Sequence, residues 1–144
     1  MRFMMLLKAN AETEAGVLPT KEVLTGMGDL MQDMAKAGVL LAGDGLQPSS
    51  KGKRVRLADG KLSVIDGPFT ESKELIASYG LFQVDTMDEA VDWTRRFLEV
   101  LGSGECELRP IFEFTDFPAD LLPPGEAERE QSTREEMQRN AARQ

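Results

Sequence analysis

The hydrophobic pattern of the chain alternates between the two-residue period of strands and the 3.6-residue period of helices. Residues 2–8 are apolar at both parities, which is typical of a strand covered on both faces. The segments after Thr20 and Thr86 carry apolar side chains at i, i+3 and i+4, as helices with one buried face do. The pattern predicts strands over residues 2–8, 39–42, 79–84 and 106–114, and helices over residues 20–37 and 86–101.

Capping residues mark the ends of both helices. Thr86 and Glu89 form a capping box, and Gly38 and Gly102 end the two helices. Gly26 and Gly28 lie inside the first helix, where each costs about 1 kcal/mol relative to alanine. We therefore expect close packing against another backbone at these glycines.

A β-hairpin is predicted between the second strand and the strand at 79–84. Residues 53–57 and 61–65 flank Asp59-Gly60, a sequence typical of tight hairpin turns. Without this insertion the order is strand, helix, strand, strand, helix, strand, which is two β-α-β units. The predicted fold is α+β: a ferredoxin-like antiparallel sheet with two helices on one face and an inserted β-hairpin.

Apolar side chains remain on the sheet face that the helices leave bare, and monomers rarely expose such patches. A second copy stacked sheet to sheet would cover them, so we expect a homodimer. The residues concerned are one of each neighbouring pair, Met4 or Met5, Leu81 or Phe82, and Ile111 or Phe112.

The composition changes after residue 115. Residues 116–144 begin with a proline-containing spacer, and residues 125–144 contain no Leu, Ile, Val or aromatic side chain. Such a segment cannot bury enough apolar surface to fold on its own core. We predict one domain over residues 1–115, followed by a charged tail over 116–144 that is disordered or helical, with disorder as the first expectation. A helix would be supported by the i, i+4 pairs Glu130–Arg134 and Glu135–Arg139.

The charge and the cysteine content limit the partners and the location. The net charge of −8 disfavours nucleic acid, whose binding depends on clustered cations. No apolar run approaches the ~18 residues of a membrane span, and no signal peptide is visible at the start. Cys106 is the single cysteine, so an internal disulfide is excluded, and we expect a cytoplasmic protein with no membrane partner.

The absence of histidine removes the commonest general base and the commonest metal ligand. Serine triads and zinc sites are thereby disfavoured, and Cys106 is interpreted as a packed thiol in its strand. The glycine pairs of the chain lack the context of a dinucleotide fingerprint or a phosphate-binding loop. We expect no metal ion and no cofactor.

Two polar segments are candidates for ligand binding. The turn-rich loop 43–50 is a candidate pocket wall, with Gln47 and Ser49 as ligand-binding residues. Residues 51–56 include four cations that could clamp a small carboxylate or phosphate, although a solvated edge ribbon explains them more simply. These cations are Lys51, Lys53, Arg54 and Arg56.

The densest polar cluster spans residues 66–74. A partly buried Asp66 could act as a general base on a carbon acid, with Glu71 or Lys73 adjusting its pKa or orienting the substrate. The structural alternative is that Asp66 accepts backbone N–H hydrogen bonds within its own turn, and we weigh that alternative more heavily.

Several separated motifs resemble the YCII-related family, also called the DGPF-domain family, over residues 1 to about 115. They are Asp66-Gly67-Pro68-Phe69 with Glu71, Lys73 and Glu74, Arg2-Phe3-Met4-Met5, Glu14-Ala15-Gly16-Val17 with Pro19, and Ala37-Gly38 through Gly45-Leu46-Gln47-Pro48-Ser49-Ser50.

The resemblance implies a ferredoxin-like fold of the dimeric α+β barrel group. It also implies two kinds of function, because some members are implicated in lyase chemistry such as dehydrochlorination of a muconolactone-type ring, and others are linked by gene context to extracytoplasmic-function sigma factors. A His-Asp pair has been proposed as the active site of the first kind. This chain departs from that pattern because it has no histidine, and Asp66 is the one half of such a pair that it offers.

Two hypotheses follow. The first, which the missing histidine favours, is a binding or regulatory domain of undetermined activity that holds a small anionic ligand or a protein partner. The alternative is a lyase or isomerase of the dehydrochlorinase type, in which Asp66 is the general base of a dimer-interface pocket.

Overall fold

A computed structural model describes residues 1–70 and 74–143 of the chain. The chain divides into two compact units, Met1–Ile111 and the residues from Phe112 onward. Glu71 and Lys73, both predicted as site residues, lie outside the described residues.

The helices and strands of the first unit follow the predicted order, with one short helix added near the start. They are β1 (Arg2–Lys8), α1 (Ala11–Glu14), α2 (Lys21–Lys36), β2 (Leu40–Gly45), β3 (Lys53–Ala58), β4 (Lys61–Asp66), β5 (Ile76–Gln83), α3 (Met87–Leu101) and β6 (Cys106–Pro110).

The main sheet has the strand order β2-β5-β1-β6, and every neighbouring pair is antiparallel. Phe3 of β1 lies opposite Phe82 of β5 on one side and Pro110 of β6 on the other. This is the order that two interleaved β-α-β units produce. The predicted α+β class with an antiparallel sheet is confirmed.

The core lies between the sheet and the two long helices. Phe3 and Met5 of β1 are almost fully buried, and so is Phe82 of β5. Leu30 and Met34 of α2 pack into the same cluster, as do several residues of α3. Because side chains alternate along a strand, both helices cover one and the same face of the sheet. The cluster is Phe3, Met5, Leu30, Met34, Val39, Phe82, Val84 and Ala90, with Leu40, Trp93, Phe97, Val100, Cys106 and Leu108 packed against it.

The opposite face of the sheet is the bare sheet face. Met4 and Leu6 of β1 point to it, and the register places Leu81 opposite Met4 and Tyr79 opposite Leu6. All four side chains are partly exposed in the single chain. Met4 and Leu81 are thus the members of the first two predicted pairs that lie on this face, whereas Ile111 and Phe112 lie beyond the end of β6.

One of the two helix glycines is explained by packing. A Cβ atom on Gly26 would lie 2.9 Å from Cγ1 of Val100, so α2 approaches α3 too closely for a larger residue. The close contact is with a side chain, whereas we expected a backbone. A Cβ atom on Gly28 would meet nothing within 4 Å.

Several boundaries differ from the predicted ones, and β5, for example, begins at Ile76, three residues before its predicted start. Strand β2 extends through Gly43-Asp44-Gly45, which we predicted as loop, because these residues pair with β5. Strand β6 ends at Pro110, because its partner β1 begins at Arg2. Asp66 is the last residue of β4, opposite Lys53, whereas we predicted that it lies in the following turn.

Strands β3 and β4 form a separate two-stranded sheet, the β3–β4 ribbon. Its turn is Asp59-Gly60, in which both residues have positive φ, as tight hairpin turns require. The register places Val55 opposite Val64 and Leu57 opposite Leu62.

The second unit contains a helix, α4 (Glu126–Ala141), preceded by two short 3-10 turns. Of the two alternatives for the tail, disordered or helical, the structure has the helix. The ring centroids of Phe112 and Phe117 lie 5.2 Å apart, and Arg134 Nε donates to Glu130 at 2.7 Å, one of the two predicted i, i+4 pairs. The described side chains of α4 include none that is buried, so charged pairs such as this one supply local support.

Candidate functional site

Ser49 hydrogen-bonds to two segments that are remote from it in sequence. Its backbone N–H donates to Oε1 of Glu14 at 3.0 Å, and its hydroxyl donates to Oε2 of the same carboxylate. The hydroxyl oxygen also accepts the backbone N–H of Phe69 at 3.0 Å. We call these three hydrogen bonds the Ser49 junction. They connect the end of α1, the loop after β2 and the turn after β4.

Short helical turns position both the Glu14 carboxylate and the Ser49 hydroxyl. Asn10 and Thr13 form a capping box at the start of α1, which fixes Glu14 at the end of that helix. Ser49 begins a 3-10 turn, Ser49–Lys51, directly after Pro48. Each partner of the junction therefore lies in its own short helical turn.

Gly67 lies against the same turn. A Cβ atom on Gly67 would lie 1.8 Å from the carbonyl oxygen of Ser49, a distance that no side chain tolerates. The Gly67 N–H donates to the carbonyl of Gly52 at 3.0 Å, and the Gly67-Pro68 peptide bond is cis. The glycine of the Asp-Gly-Pro-Phe motif is thus required by the closeness of two backbones.

A cavity of about 470 Å³ opens beside the Ser49 junction. Its walls come from α1, the loop after β2, the turn after β4 and the start of β5. The described residues that line it are Glu14, Leu46, Gln47, Pro48, Ser49, Lys51, Gly52, Phe69, Leu75 and Ile76. The wall combines apolar side chains with a few polar groups, as small-molecule sites do.

The predicted site residues that the structure describes lie in two different places, the cavity wall and the base of the β3–β4 ribbon. Gln47 and Ser49 both line the cavity, as a pocket wall requires. Asp66 is not among the described lining residues; its side chain is 75% exposed and forms an ion pair with Lys53 at the base of the β3–β4 ribbon. The general-base role of Asp66 stays a prediction.

The four cations of residues 51–56 also have different surroundings. Lys51 lines the cavity, and Lys53 pairs with Asp66. The guanidinium of Arg54 lies 4.0 Å from the ring centroid of Phe69, a cation–π contact. Arg56 lies further along β3, opposite Ser63. Two of the four, Lys51 and Arg54, are therefore associated with the cavity or its wall.

Charged and polar pairs border the apolar centre of the bare sheet face. Tyr79 Oη donates to Oδ2 of Asp44 at 2.8 Å, and this hydrogen bond together with the aspartate charge raises the pKa of Tyr79. Glu107 accepts from Arg109 at 3.3 Å and lies 3.5 Å from Lys8, and these partners lower the pKa of Glu107. The same face thus carries both an apolar patch and paired charges.

Cys106 lies on the helix side of β6, against the core. Burial, with a smaller effect from the charge of Glu105, raises the pKa of Cys106 to about 11. Because the thiolate is the reactive form, this thiol is a poor nucleophile near neutral pH. The interpretation of Cys106 as a packed thiol agrees with this environment.

The described part of the chain has neither a cluster of metal-binding side chains nor a membrane-spanning helix. Within residues 1–70 and 74–143, no group of three or more Cys, Asp or Glu side chains could hold a metal ion. No helix in those residues is long and apolar enough to cross a membrane. The cytoplasmic location stays a prediction.

Glu14 is the site residue that our functional analysis of the sequence missed. We predicted no helix or strand over residues 9–18 and quoted Glu14 in the family resemblance alone. The available signal was Asn10 three residues before Thr13, a capping pair that predicts a helical turn and so fixes Glu14. The hydrogen bond between Glu14 and Ser49, which is 35 residues away, could not be predicted from the spacing of apolar residues.

The closeness of Gly67 to Ser49 can be tested by a pair of Gly→Ala substitutions. We expect Gly67→Ala to lower the free energy of unfolding by about 1–3 kcal/mol or more, because the new methyl group forces the two backbones apart. Gly28→Ala is the control, and it should leave stability unchanged or raise it by up to about 1 kcal/mol, since that helix position is open. Urea unfolding measures both; equal stabilities of the two variants would contradict the packing described here.

Comparisons with known proteins place the chain in a family. The structure of 5-chloro-2-hydroxyhydroquinone dehydrochlorinase from Burkholderia phenoliruptrix AC1100, in complex with 2,5-dihydroxybenzoquinone, matches 82% of this chain and 100% of its own at 11% identity and a TM-score of 0.43. An uncharacterized protein of Rhizobium meliloti (strain 1021) is 29% identical over 92 residues, which are 63% of this chain and 74% of that protein. The model of the YCII-related domain matches residues 1–115. The chain therefore belongs to the YCII-related family.

Proposed function

We propose that this YCII-related domain binds a small organic molecule in the cavity beside the Ser49 junction, in a binding or regulatory role. The cavity volume of about 470 Å³ falls within the range of roughly 300–1,000 Å³ that small-molecule sites occupy. Five of its lining side chains are apolar, namely Leu46, Pro48, Phe69, Leu75 and Ile76.

The Ser49 junction is the observation that carries this proposal. A serine hydroxyl that both donates and accepts has its proton position fixed by its partners, so the wall is ordered before a ligand arrives. Ordering the wall in advance reduces the entropy lost on binding.

The polar groups on the wall can give a ligand its orientation. An ionised carboxylate has about four lone-pair positions, and Ser49 uses one on each oxygen of Glu14, so Glu14 can still accept from a ligand donor. The amide of Gln47 can donate and accept. A few polar groups on an apolar wall are the usual basis of specificity in such sites.

Filling the cavity should prevent binding. Leu46 lines the cavity and is 52% exposed, and Leu24 has similar exposure, 58%, on α2 away from it. We expect Leu46→Trp to lose a small molecule that co-purifies with the unaltered chain, because the indole occupies its space, and Leu24→Trp to keep it. Native mass spectrometry of the freshly purified proteins, followed by denaturation, measures the bound mass. An unaltered chain that carries no bound molecule, or a Leu46→Trp variant that keeps it, would count against the proposal.

The domain is also proposed to form a homodimer through the bare sheet face, as a dimeric α+β barrel. The apolar side chains of Met4, Leu6 and Leu81 on that face support this, since a monomer would leave them in contact with water. The bordering pairs Tyr79–Asp44 and Arg109–Glu107 could add polar contacts at the rim of such an interface.

A charge in the middle of the bare sheet face should separate the subunits. Leu81→Asp places an unpaired carboxylate where the second copy would bury it, so we expect a monomer at micromolar concentration. Leu18→Asp, at a side chain that is 83% exposed, is the matched control and should stay dimeric. Sedimentation velocity distinguishes the two. A monomeric unaltered chain, or a Leu81→Asp variant that still sediments as a dimer, would exclude this interface.

Proton transfer on the bound molecule is a second candidate function, and the position of Glu14 favours it. Its carboxylate lies on the cavity wall and is oriented by two hydrogen bonds, as a general base within reach of a ligand should be. Asp66, the base proposed from the sequence, is exposed and paired with Lys53. A lyase or isomerase of this domain would therefore use Glu14 in preference to Asp66.

Exchange of the carbon-bound hydrogen of the ligand for deuterium in heavy water tests which carboxylate acts as the general base. Under this second candidate, the co-purified molecule incubated with the unaltered chain should gain deuterium, and Glu14→Gln should slow the gain at least about a hundredfold because the base is gone. Asp66→Asn should exchange at the rate of the unaltered chain. Proton NMR of the released molecule reports the exchange. The reverse result would assign the base to Asp66, and no exchange in any of the three would reject proton transfer on this molecule.

A further inference from the structure

Some polar groups of the cavity wall already form hydrogen bonds or ion pairs within the protein, and others do not. Glu14 and Ser49 are engaged with each other in the Ser49 junction. Lys51, in contrast, has no carboxylate within 4 Å among the residues that the structure describes, although Lys53 two residues later does. The one cationic side chain that lines the described cavity wall is therefore available to a ligand.

A second cation lies close to the cavity wall. Arg54 adds a guanidinium on the ring of Phe69, which is itself part of the wall. Lys53 and Asp66 neutralise each other, and Glu14 contributes the one negative charge on the described lining. In a chain with a net charge of −8, these two cations are the groups near the described wall that an anion would contact.

The chemistry of the wall also limits what kind of anion fits. A phosphate monoester is a strongly hydrated dianion, and its sites usually offer several backbone N–H groups or arginines that converge on it. Here one ammonium, from Lys51, stands beside apolar side chains such as Leu75 and Ile76. A singly charged carboxylate on an apolar body matches one cation and an apolar wall more closely.

We propose that the cavity beside the Ser49 junction takes a small organic carboxylate, with its carboxylate on Lys51 and its apolar body against Phe69 and Ile76. This inference rests on the proposed binding function and names the ligand class. The amide of Gln47 provides a second donor to the carboxylate, and the free lone pairs of Glu14 accept from a hydroxyl on the body.

Benzoate and benzamide are matched probes for this assignment, because they share shape and differ in charge. Titration of each into the full-length, isotopically labelled protein at low ionic strength, followed by two-dimensional amide NMR, measures both affinity and place of binding. We expect both to shift the amides of Phe69 and Ile76, with benzoate bound about three- to tenfold more tightly through its charge-assisted hydrogen bond.

Two lysine substitutions distinguish a direct contact between Lys51 and the ligand from an effect of the net charge of the chain. Lys51→Gln should remove the advantage of benzoate and leave the affinity for benzamide unchanged. Lys61→Gln, in the β3–β4 ribbon and outside the described cavity lining, removes the same charge from the chain and should leave both affinities unchanged. An equal loss of benzoate affinity in the two variants would overturn the assignment to Lys51.

The remaining outcomes distinguish this inference from the function on which it rests. Benzamide binding as tightly as benzoate, with Lys51→Gln having no effect on either, would overturn the carboxylate class and leave a small-molecule site. Shifts confined to the bare sheet face or the β3–β4 ribbon would overturn both. If neither probe moves the cavity amides at millimolar concentration and the unaltered chain carries no co-purified molecule, the binding function itself fails.

Discussion

The hydroxyl group of Ser49 is the constraint on which the geometry of the candidate site depends. It donates to Glu14, which lies 35 residues earlier, and accepts from the N–H of Phe69, 20 residues later. Glu14 is thereby held against the loop after β2 and the turn after β4, which the pairing of Lys53 with Asp66 and the Gly67–Gly52 hydrogen bond also bring together. An apolar contact between them would tolerate sliding, whereas a donor and an acceptor on one oxygen fix both distance and direction.

The sheet supplies the frame for this arrangement. Its helix-covered face contains the core, and the cavity lies where the loop after β2 meets the start of β5, at the end of two paired strands. Leu46 N–H donates to the carbonyl of Ala77 at 2.8 Å, which continues the ladder into the cavity wall. The site thus combines a rigid edge with a loop whose position is set by side-chain hydrogen bonds, as ligand sites commonly do.

The sequence predicted the sheet and its two long helices well, because the spacing of apolar residues indicates which side chains are buried. Both long helices begin at the capping residues Thr20 and Thr86, as expected, and the four strands of the sheet are in the predicted order. Composition was a weaker guide at Gly43-Asp44-Gly45, where pairing with β5 overrides turn propensity. Gln47 and Ser49, which the sequence suggested for a pocket wall, line the cavity. Glu14 was missed, because a hydrogen bond between residues 35 positions apart does not affect the spacing of apolar residues.

The contact between Gly26 and Val100 couples two positions of the sequence. Since a Cβ atom on residue 26 would lie 2.9 Å from the valine methyl group, α2 and α3 share a fixed volume at their crossing. A residue larger than glycine at position 26 therefore requires a side chain smaller than valine at position 100, or a wider separation of the two helices. A glycine that weakens its own helix thus sets how closely α2 and α3 can approach each other.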